Sequence, residues 1–221
     1  MKIETILKKI EKIYPNPQIE LYYETPFQLL IAVVLSAQTT DKQVNKVTKD
    51  YAFFDKVKKP EDIIKLWFDW VRQWIKTIWL TNSKAKNIYN LSKQILAIKE
   101  PISKDEKQIF EKYFYIIPDS LDRIMKLSWV WEKTWKVVLS VLYKKALIPV
   151  DTHVHRVANR LWIVNTNYEI QTSKQLESII PDKLKNKAHH LFIHFWRYFC
   201  LARSPKCYDC PLKFSCKYFK K

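Results

Sequence analysis

The chain has 221 residues, of which 48% are hydrophobic and 28% charged, so it can bury a core as one large or two small domains. Its 39 lysines and arginines against 22 aspartates and glutamates give a net charge of +17, which favours nucleic acid as a partner. A generally lysine-rich proteome is the alternative explanation of this charge. The longest apolar stretch, Leu29 to Leu35, is far too short to span a bilayer, which excludes a membrane protein.

The first half of the chain predicts amphipathic and buried helices. Residues 1–14 place their apolar side chains on one helical face and lack the continuous apolar run of a signal peptide. We therefore expect an intracellular protein. Thr25, followed by a proline, predicts the start of the apolar helix PFQLLIAVVLSAQ. Asp41 is predicted to cap KQVNKVTKDYA, and Asn82 with Ser83 to cap KAKNIYNLSKQIL.

The second half of the chain is also predicted to be helical. Residues 99–113 are polar and charged, and we interpret them as a surface insertion. Further helix starts are predicted at Asp119 with Ser120, at Thr152, at Thr172 with Gln175 as a capping box, and after Pro181. The helix after the proline is the long segment KNKAHHLFIHFWRYFC. Because strand-like alternation is scarce, the sequence predicts an all-α protein.

The composition is unusual because the chain contains no glycine and nine tryptophans. At the usual frequency of about 7%, a chain of this length should carry roughly 15 glycines. Glycine serves tight turns, helix ends and close backbone approach at the lowest cost. Our hypothesis is that a codon read as glycine in the source organism, with UGA the natural candidate, is translated here as tryptophan. The alternative is a genuine tryptophan-rich chain, for which the gene would show UGG at these positions.

All four cysteines lie in the last 22 residues, as Cys200-x6-Cys207-x2-Cys210-x5-Cys216. Four thiols in one short segment of an intracellular protein predict a metal site rather than disulfide bonds. A tetrahedral zinc ion would accept four thiolates, but four-cysteine zinc sites usually show two C-x2-C pairs. With one such pair here, an iron–sulfur cluster is at least as well supported.

The segment LSWVWEKTWKVVLS, residues 127–140, is the second candidate site. With tryptophan read as glycine it becomes LSGVGEKTGKVVLS, two helices joined by a Gly-Val-Gly turn. Such a turn exposes backbone N–H groups at a helix N-terminus, where they can hold a phosphate. Lys133 follows at the start of the second helix, and Asp151 precedes a later one. Taken alone, the lysine is most simply a solvated side chain and the aspartate a helix cap.

Together these features resemble the endonuclease III family of DNA glycosylases/AP lyases, in the helix–hairpin–helix superfamily. The matching segments, in chain order, are TPFQLLIAVVLSAQTTDKQVNK, IKTIWLTNSKAKNI, LSWVWEKTWKVV, VDTHVHRVANRL and HFWRYFCLARSPKCYDCPLKFSC. The family's cysteine spacing is the one found here, which implies a [4Fe-4S] cluster. The family pattern also expects glycine at Trp79, Trp129, Trp131 and Trp196, which supports the recoding hypothesis independently of composition.

The resemblance implies an all-α, two-lobed fold. One lobe is a helical barrel domain at residues 20–145, with the helix–hairpin–helix motif near 121–145. The other is a discontinuous iron–sulfur domain formed by residues 1–19 and 146–221, with the cluster loop at 200–216. Duplex DNA is expected to bind in the cleft between the lobes.

The resemblance also implies base excision repair, in which oxidised pyrimidines are removed from duplex DNA and the abasic site is cleaved. Lys133 matches the family's nucleophile, whose amine attacks C1′ and forms a Schiff base, so its pKa must be lowered. Asp151 matches the aspartate that stabilises positive charge on the sugar and assists proton transfers, facing Lys133 across the cleft. β-Elimination then breaks the strand 3′ to the lesion. The damaged base must leave the stack to be reached.

Other residues match DNA contacts or metal ligands of the family. Gln38 and Leu80 match the residues that fill the space vacated by the base, while Arg203 and Lys206 are offered to phosphates. The hairpin residues expected at DNA are Trp129, Val130, Trp131 and Thr134. The cluster ligands would be Cys200, Cys207, Cys210 and Cys216, and their role is largely structural, fixing the loop between the first two. The five histidines are interpreted as packing or hydrogen-bonding residues.

Two alternatives remain open at this point. A monofunctional adenine or mismatch glycosylase would share the motif but usually lacks lysine at the position of Lys133. A catalytically silent DNA-binding metalloprotein would not depend on Lys133 at all. Ser128 and Glu132 depart from the family pattern, and genuine tryptophans in the hairpin would block DNA. We expect a monomer that acts on double-stranded DNA without membrane contact, in the cytoplasm and associated with the nucleoid.

Overall fold

The computed structural model describes residues 2–15, 17–128 and 131–219. The prediction of an all-α protein is confirmed, since these residues form helices, turns and loops with no strand among them. The α-helices are α1 (Ile3–Glu11), α2 (Pro26–Ser36), α3 (Asp41–Asn45), α4 (Phe53–Lys56), α5 (Pro60–Trp74), α6 (Thr81–Leu96), α7 (Lys104–Tyr113), α8 (Leu121–Ile124), α9 (Glu132–Leu142), α10 (Thr152–Arg160), α11 (Glu169–Ile179) and α12 (Asp182–Tyr198). A π-helical turn follows α3, and a short 3₁₀ helix lies near the C-terminus. Within the described ranges, no helix is both long enough and apolar enough to cross a membrane.

The chain divides into two compact units. One unit consists of residues 20–143 and contains helices α2 to α9. The other consists of residues 1–19 together with 144–221 and contains α1 and α10 to α12. The hairpin segment therefore belongs to the first unit, and all four cysteines belong to the second.

Helix α2 is the central helix of the unit formed by residues 20–143. Every residue from Pro26 to Leu35 is buried, because this helix is apolar on all sides rather than on one stripe. Its predicted start is confirmed: the Thr25 hydroxyl accepts the N–H of Gln28, whose side chain accepts the N–H of Thr25 in return. Helices α3, α6 and α9 all contact α2. The helix that carries the candidate lysine is thus attached to the most buried element of its unit.

The other unit has its own core, built from α1, α10, α11 and α12. Helix α1 buries Ile6, Leu7 and Ile10, which confirms the amphipathic N-terminal helix. It contacts α12, and α10 contacts both α11 and α12. The same core includes Leu212 and Cys216. The cysteine-rich segment is therefore packed on the helices and does not extend away from them as a tail.

Two predicted helix starts in the first half are displaced by one to three residues. Helix α3 is capped by Thr40 and not by Asp41, because the threonine hydroxyl accepts the N–H of the third helical residue. Helix α6 begins at Thr81, before the predicted cap at Asn82 and Ser83. Both segments offer several adjacent polar residues that are suited to capping, and pattern alone does not choose among them.

Two predicted caps in the second half are wrong. Thr152 does not cap α10, because that position belongs to Asp151. Thr172, predicted to form a capping box with Gln175, lies inside α11 and is fully buried. Its hydroxyl makes a 2.6 Å hydrogen bond with Nδ1 of His155. The threonine therefore joins two helices of the core and starts neither.

Residues 99–113, interpreted as a surface insertion, contain helix α7 and a buried carboxylate that forms an ion pair. The side chain of Glu106 is fully buried. It accepts hydrogen bonds from the backbone N–H groups of Ile102 and Asp119. The guanidinium of Arg123 on α8 lies 2.5 and 2.6 Å from the two carboxylate oxygens. These partners offset the cost of burying the carboxylate and attach the segment to α8.

Two tryptophans have backbone conformations that glycine adopts at lower cost. Trp67 interrupts α5 with φ 61° and ψ 156°, a region populated almost only by glycine. Trp162 follows α10 with φ 56°, the left-handed conformation that glycine favours just after a helix. Their side chains are 76% and 52% exposed, so burial of the indole rings gives little compensation. Both observations support the recoding hypothesis at these positions.

Candidate active site and metal centre

Lys133 lies in the first turn of α9 and its side chain is exposed. Trp131, at the N-cap position, has an extended backbone with φ −85° and ψ 168° and is 66% exposed. Thr134 was expected to contact DNA. Its side chain is buried and packs into the unit. Trp129 and Val130 lie outside the described residues. The amine of Lys133 is therefore carried at the N-terminal end of a helix that favours nearby anions.

The chain just before the hairpin is held by Gln94 of α6. Its side chain donates to the carbonyl of Lys126 at 3.3 Å and accepts the N–H of Ser128 at 2.7 Å. Sequence reasoning missed this residue, because a glutamine on an exposed helical face carries no distinguishing pattern. Glu132, a departure from the family pattern, pairs with Lys136 at 3.2 Å. Its negative charge is therefore partly balanced within α9.

Gln38 and Leu80 are both exposed, and both have left-handed backbones with φ 55° and 60°. Gln38 lies just after α2, while Leu80 immediately precedes α6. Positive φ is uncommon for such residues and often occurs at functional sites. Both segments contact Lys84, a fully buried lysine that sequence reasoning missed. The structure thus links the two predicted space-filling residues within one unit.

Asp151 is the N-cap of α10, in the unit that also contains the cysteines. Its Oδ1 accepts the backbone N–H groups of His153 at 3.0 Å and Val154 at 2.8 Å. Donors at a helix N-terminus stabilise the ionised carboxylate and fix its orientation. The cap and the catalytic interpretations are therefore compatible, because capping holds a charged carboxylate in one defined position.

The histidines take part in packing and hydrogen bonding. The ring of His153 stacks on Trp196 with centroids 3.7 Å apart, and His155 is bonded to the buried threonine of α11. Burial lowers the pKa of His190 to about 4, which keeps its ring neutral. The indole N–H of Trp196 is buried without a hydrogen-bond partner in the described part of the chain. A buried indole N–H normally has one, so this tryptophan fits its site poorly.

The four cysteines are free thiols that line one small, partly open pocket. Its wall also includes Leu161, Phe195 and Phe199. Burial raises the pKa of Cys200 and Cys210, so a metal must displace protons to bind there. Among the described residues, no group of three or more histidine, cysteine or acidic side chains is arranged around a single metal ion position. What the structure shows is a shared, largely apolar chamber with a thiol from each cysteine.

Arg160 of α10 connects the cysteine segment to the helical core. Its Nη1 lies 3.7 Å from Sγ of Cys200 and donates to the carbonyl of Leu201 at 2.7 Å. Its Nη2 donates to the carbonyl of Ala202 at 3.2 Å. Its own carbonyl lies 3.4 Å from Sγ of Cys216. One arginine therefore contacts both ends of the cysteine segment. Sequence reasoning missed Arg160 because most of the partners of its side chain are backbone carbonyls, which a sequence pattern does not identify.

The loop between the first two cysteines, residues 201–206, exposes both basic residues predicted to meet phosphates. Arg203 and Lys206 are exposed, and Ser204 between them has a left-handed backbone with φ 49°. The N–H of Lys206 donates to the carbonyl of Phe199 at 3.0 Å, which closes the loop. The loop is thus closed by a backbone hydrogen bond and presents two cationic side chains to solvent.

Comparison with known proteins identifies relatives along nearly the whole chain. The family model described as HhH-GPD superfamily base excision DNA repair protein matches residues 31–182. Endonuclease III of Bacillus subtilis (strain 168) is 40% identical over 217 residues, which cover 98% of this chain and 92% of that protein. Endonuclease III of Escherichia coli (strain K12) is 34% identical over 216 residues, covering 98% and 95% of the two chains.

Solved structures give the same result for the fold. A trapped Endonuclease III–DNA covalent intermediate, an estranged-adenine complex, matches with a TM-score of 0.85 at 39% identity, covering 99% of this chain and 95% of that one. A thermostable thymine-DNA glycosylase matches with a TM-score of 0.80 at 23% identity, covering 98% and 96%, which is a likeness of fold alone.

Proposed function

The chain belongs to the HhH-GPD superfamily of base excision DNA repair proteins, and we propose that Lys133 and Asp151 carry out its chemistry. It is a DNA glycosylase with AP lyase activity. The observation that supports the assignment of Lys133 is its position. It is exposed and lies in the first turn of α9, two residues after Trp131 of the predicted hairpin turn.

Lys133 acts as the nucleophile. Its neutral amine attacks C1′ of the damaged nucleotide and the bond from C1′ to the base breaks, with one amine proton passing to the departing base. The second amine proton passes to the ring oxygen as the bond from C1′ to that oxygen opens, which leaves a Schiff base between Lys133 and C1′. Removal of a proton from C2′ then expels the 3′ phosphate by β-elimination and cuts the strand. The side chain is exposed in the free protein, so an approaching DNA strand can reach the amine.

Asp151 supplies a fixed negative charge. The two N–H groups that hold its Oδ1 fix the orientation of the carboxylate. Such a charge stabilises the cation that develops on the sugar as the base departs, without reorganisation during the reaction. The carboxylate also assists the proton transfers to and from the sugar.

The substrate is duplex DNA that contains an oxidised pyrimidine or an abasic site. The net charge of +17 favours phosphate contacts, to which Arg203 and Lys206 contribute from their exposed loop. Gln38 and Leu80 fill the space left when the damaged base leaves the stack. Extrusion costs least for damaged or mismatched bases, which contributes to selectivity.

Cys200, Cys207, Cys210 and Cys216 would hold a [4Fe-4S] cluster. The four thiols line one chamber with apolar walls, and Arg160 is placed to offset thiolate charge. The proposed reaction transfers no electron, so a cluster held by these cysteines would act structurally, by fixing the loop that carries Arg203 and Lys206. Iron and acid-labile sulfide should each be present at about four per chain; one zinc per chain and no sulfide would refute this cofactor.

Borohydride trapping tests the catalytic assignment, with full-length protein that carries glycine at the nine tryptophan positions. The parent should give a covalent adduct on duplex DNA with one oxidised pyrimidine. Lys133→Ala should give none and should not cut the strand. Lys133→Arg is the matched control, since it keeps the positive charge and DNA binding but cannot form the Schiff base. An adduct that persists in both variants would assign the nucleophile to another amine.

A further inference from the structure

Lys84 of α6 is a fully buried lysine whose ammonium donates three hydrogen bonds to the end of α2 and the residues that follow it. Its Nζ donates to the carbonyls of Leu35 at 2.8 Å and Ala37 at 2.6 Å, and to Oγ1 of Thr39 at 3.1 Å. An ammonium group has three donors, so this arrangement leaves none of them unused. Burial lowers the pKa of Lys84 to about 8, which reflects the cost of keeping a charge there. Such a cost suggests that the side chain has a specific task.

The acceptors of Lys84 lie on both sides of Gln38 in the sequence. Ala37 precedes Gln38 and Thr39 follows it, so both neighbours of the left-handed residue are held by one ammonium group. Leu35 belongs to the last turn of α2, where helix carbonyls lack partners within the helix. A cation at this end also interacts favourably with the helix dipole. Lys84 therefore holds the end of α2 and the exposed turn at Gln38 together.

The backbone of Lys84 holds the second exposed residue. Its N–H donates to the carbonyl of Leu80 at 2.9 Å, in the first turn of α6. Leu80 and Lys84 are thus separated by one helical turn, and the lysine side chain then reaches the Gln38 loop. A hydrogen bond of 2.8 Å between Gln43 and Thr77 joins the same two regions at a second point. The spacing between Gln38 and Leu80 is set by these short, specific contacts.

We propose that Lys84 is a positioning residue for base extrusion, which fixes Gln38 and Leu80 at the spacing needed to fill the vacated site. The inference rests on the proposed function, because it takes both residues as the ones that enter the DNA. Filling the gap offsets the unstacking cost only where the inserted side chains are already ordered, since ordering them on binding costs free energy of its own. Because Lys84 is buried, it would order these two residues without contacting DNA itself.

The test compares two substrates in the full-length protein with glycine at the nine tryptophan positions. A duplex with an oxidised pyrimidine requires extrusion, whereas a single strand with a preformed abasic site does not. Lys84→Met, which keeps the length of the side chain and removes its donors, should lower single-turnover excision from the duplex about tenfold. Schiff-base trapping on the single strand should change by less than about twofold. The matched control is Lys86→Met, which removes the same charge from the exposed face of α6 and should leave both reactions unchanged.

A milder variant and a double-mutant cycle keep the proposal testable where Lys84→Met folds poorly. Thr39→Val removes one acceptor and should lower duplex excision about twofold to threefold, again without an effect on the single strand. Gln38→Ala should cost much less in the Lys84→Met background than in the parent, because the lysine acts through the glutamine. Equal losses on both substrates, or additive effects in the cycle, would overturn the positioning role. A parent that traps no abasic site at all would instead overturn the proposed function, and this inference with it.

Discussion

Replacing Trp67 by glycine should stabilise the chain. Its φ of 61° and ψ of 156° interrupt α5, and a conformation of this kind costs a residue other than glycine on the order of 1–3 kcal/mol. Glycine itself lowers the free energy of unfolding by about 0.5–1 kcal/mol, because it has greater conformational freedom in the unfolded chain. The indole is 76% exposed, so little burial is lost with it. The expected net gain is about 1 kcal/mol, the middle of a range of about 0–2.5 kcal/mol, or a rise in Tm of about 2–4 °C for a chain of this size.

Urea denaturation followed by circular dichroism measures this gain against a matched aromatic control. Phe68→Gly changes the next residue in α5, where the backbone is helical and the side chain is partly buried. It should destabilise by about 1 kcal/mol from helix propensity alone, with lost packing in addition. If Trp67→Gly lowers the midpoint as Phe68→Gly does, the conformational argument for glycine is wrong. UGG codons at the tryptophan positions of the gene would refute recoding itself.

Three further predictions concern other parts of the structure. Glu106→Gln should lower the free energy of unfolding by about 3 kcal/mol, because it leaves the Arg123 guanidinium without its buried counter-charge; an unchanged denaturation midpoint would contradict this. Arg203→Ala and Lys206→Ala should each reduce the slope of log K against log salt for DNA binding by about one, and unchanged slopes in titrations at several salt concentrations would remove them from the interface. The pKa of Lys84 falls from 10.5 to about 8 on folding, so the unfolded chain binds more protons between these values. The free energy of unfolding should therefore rise with pH across this window in the parent and not in Lys84→Met; parallel curves in denaturation at pH 8 and 10 would refute the shift.

The parts of the fold that were predictable are those specified by adjacent residues. Helix α2 is apolar on every face, and Thr25 followed by proline leaves one plausible starting point, so both core and boundary followed from the sequence. Thr172 shows the limit of this reasoning. A threonine forms the same kind of hydrogen bond at a cap as inside a core, and its partner His155 is 17 residues away in the chain. The choice is made by tertiary packing, which a local pattern does not contain.

The residues of the candidate site also differ in whether the sequence alone identifies them. The four cysteines were recognisable as candidate metal ligands because ligands in one loop have a typical sequence spacing, and Lys133 as a candidate nucleophile because the surrounding motif resembles a family. Lys84 and Arg160 were not recognisable. A lysine or arginine on a polar helix is most often solvated, and what distinguishes these two is a set of backbone carbonyls that only the folded chain brings to them. Residues whose proposed role depends on contacts made only in the folded chain are therefore harder to find than residues that belong to a local motif.

Glycine is expected at Trp67 and at Trp131 for different physical reasons. The backbone at Trp67 lies in a region that glycine alone occupies readily, so the need there is conformational. Trp131 has an ordinary extended backbone, which any residue adopts, so nothing in the fold itself requires glycine. Its indole is 66% exposed at the start of α9, two residues before Lys133, at the helix N-terminus that is proposed to receive a DNA phosphate. Glycine at 67 should therefore change stability and leave the hairpin as it is, whereas glycine at 131 should admit DNA and leave stability nearly unchanged. If one substitution produced both effects, the two requirements would share a cause, and the distinction between a folding glycine and a binding glycine in this chain would be wrong.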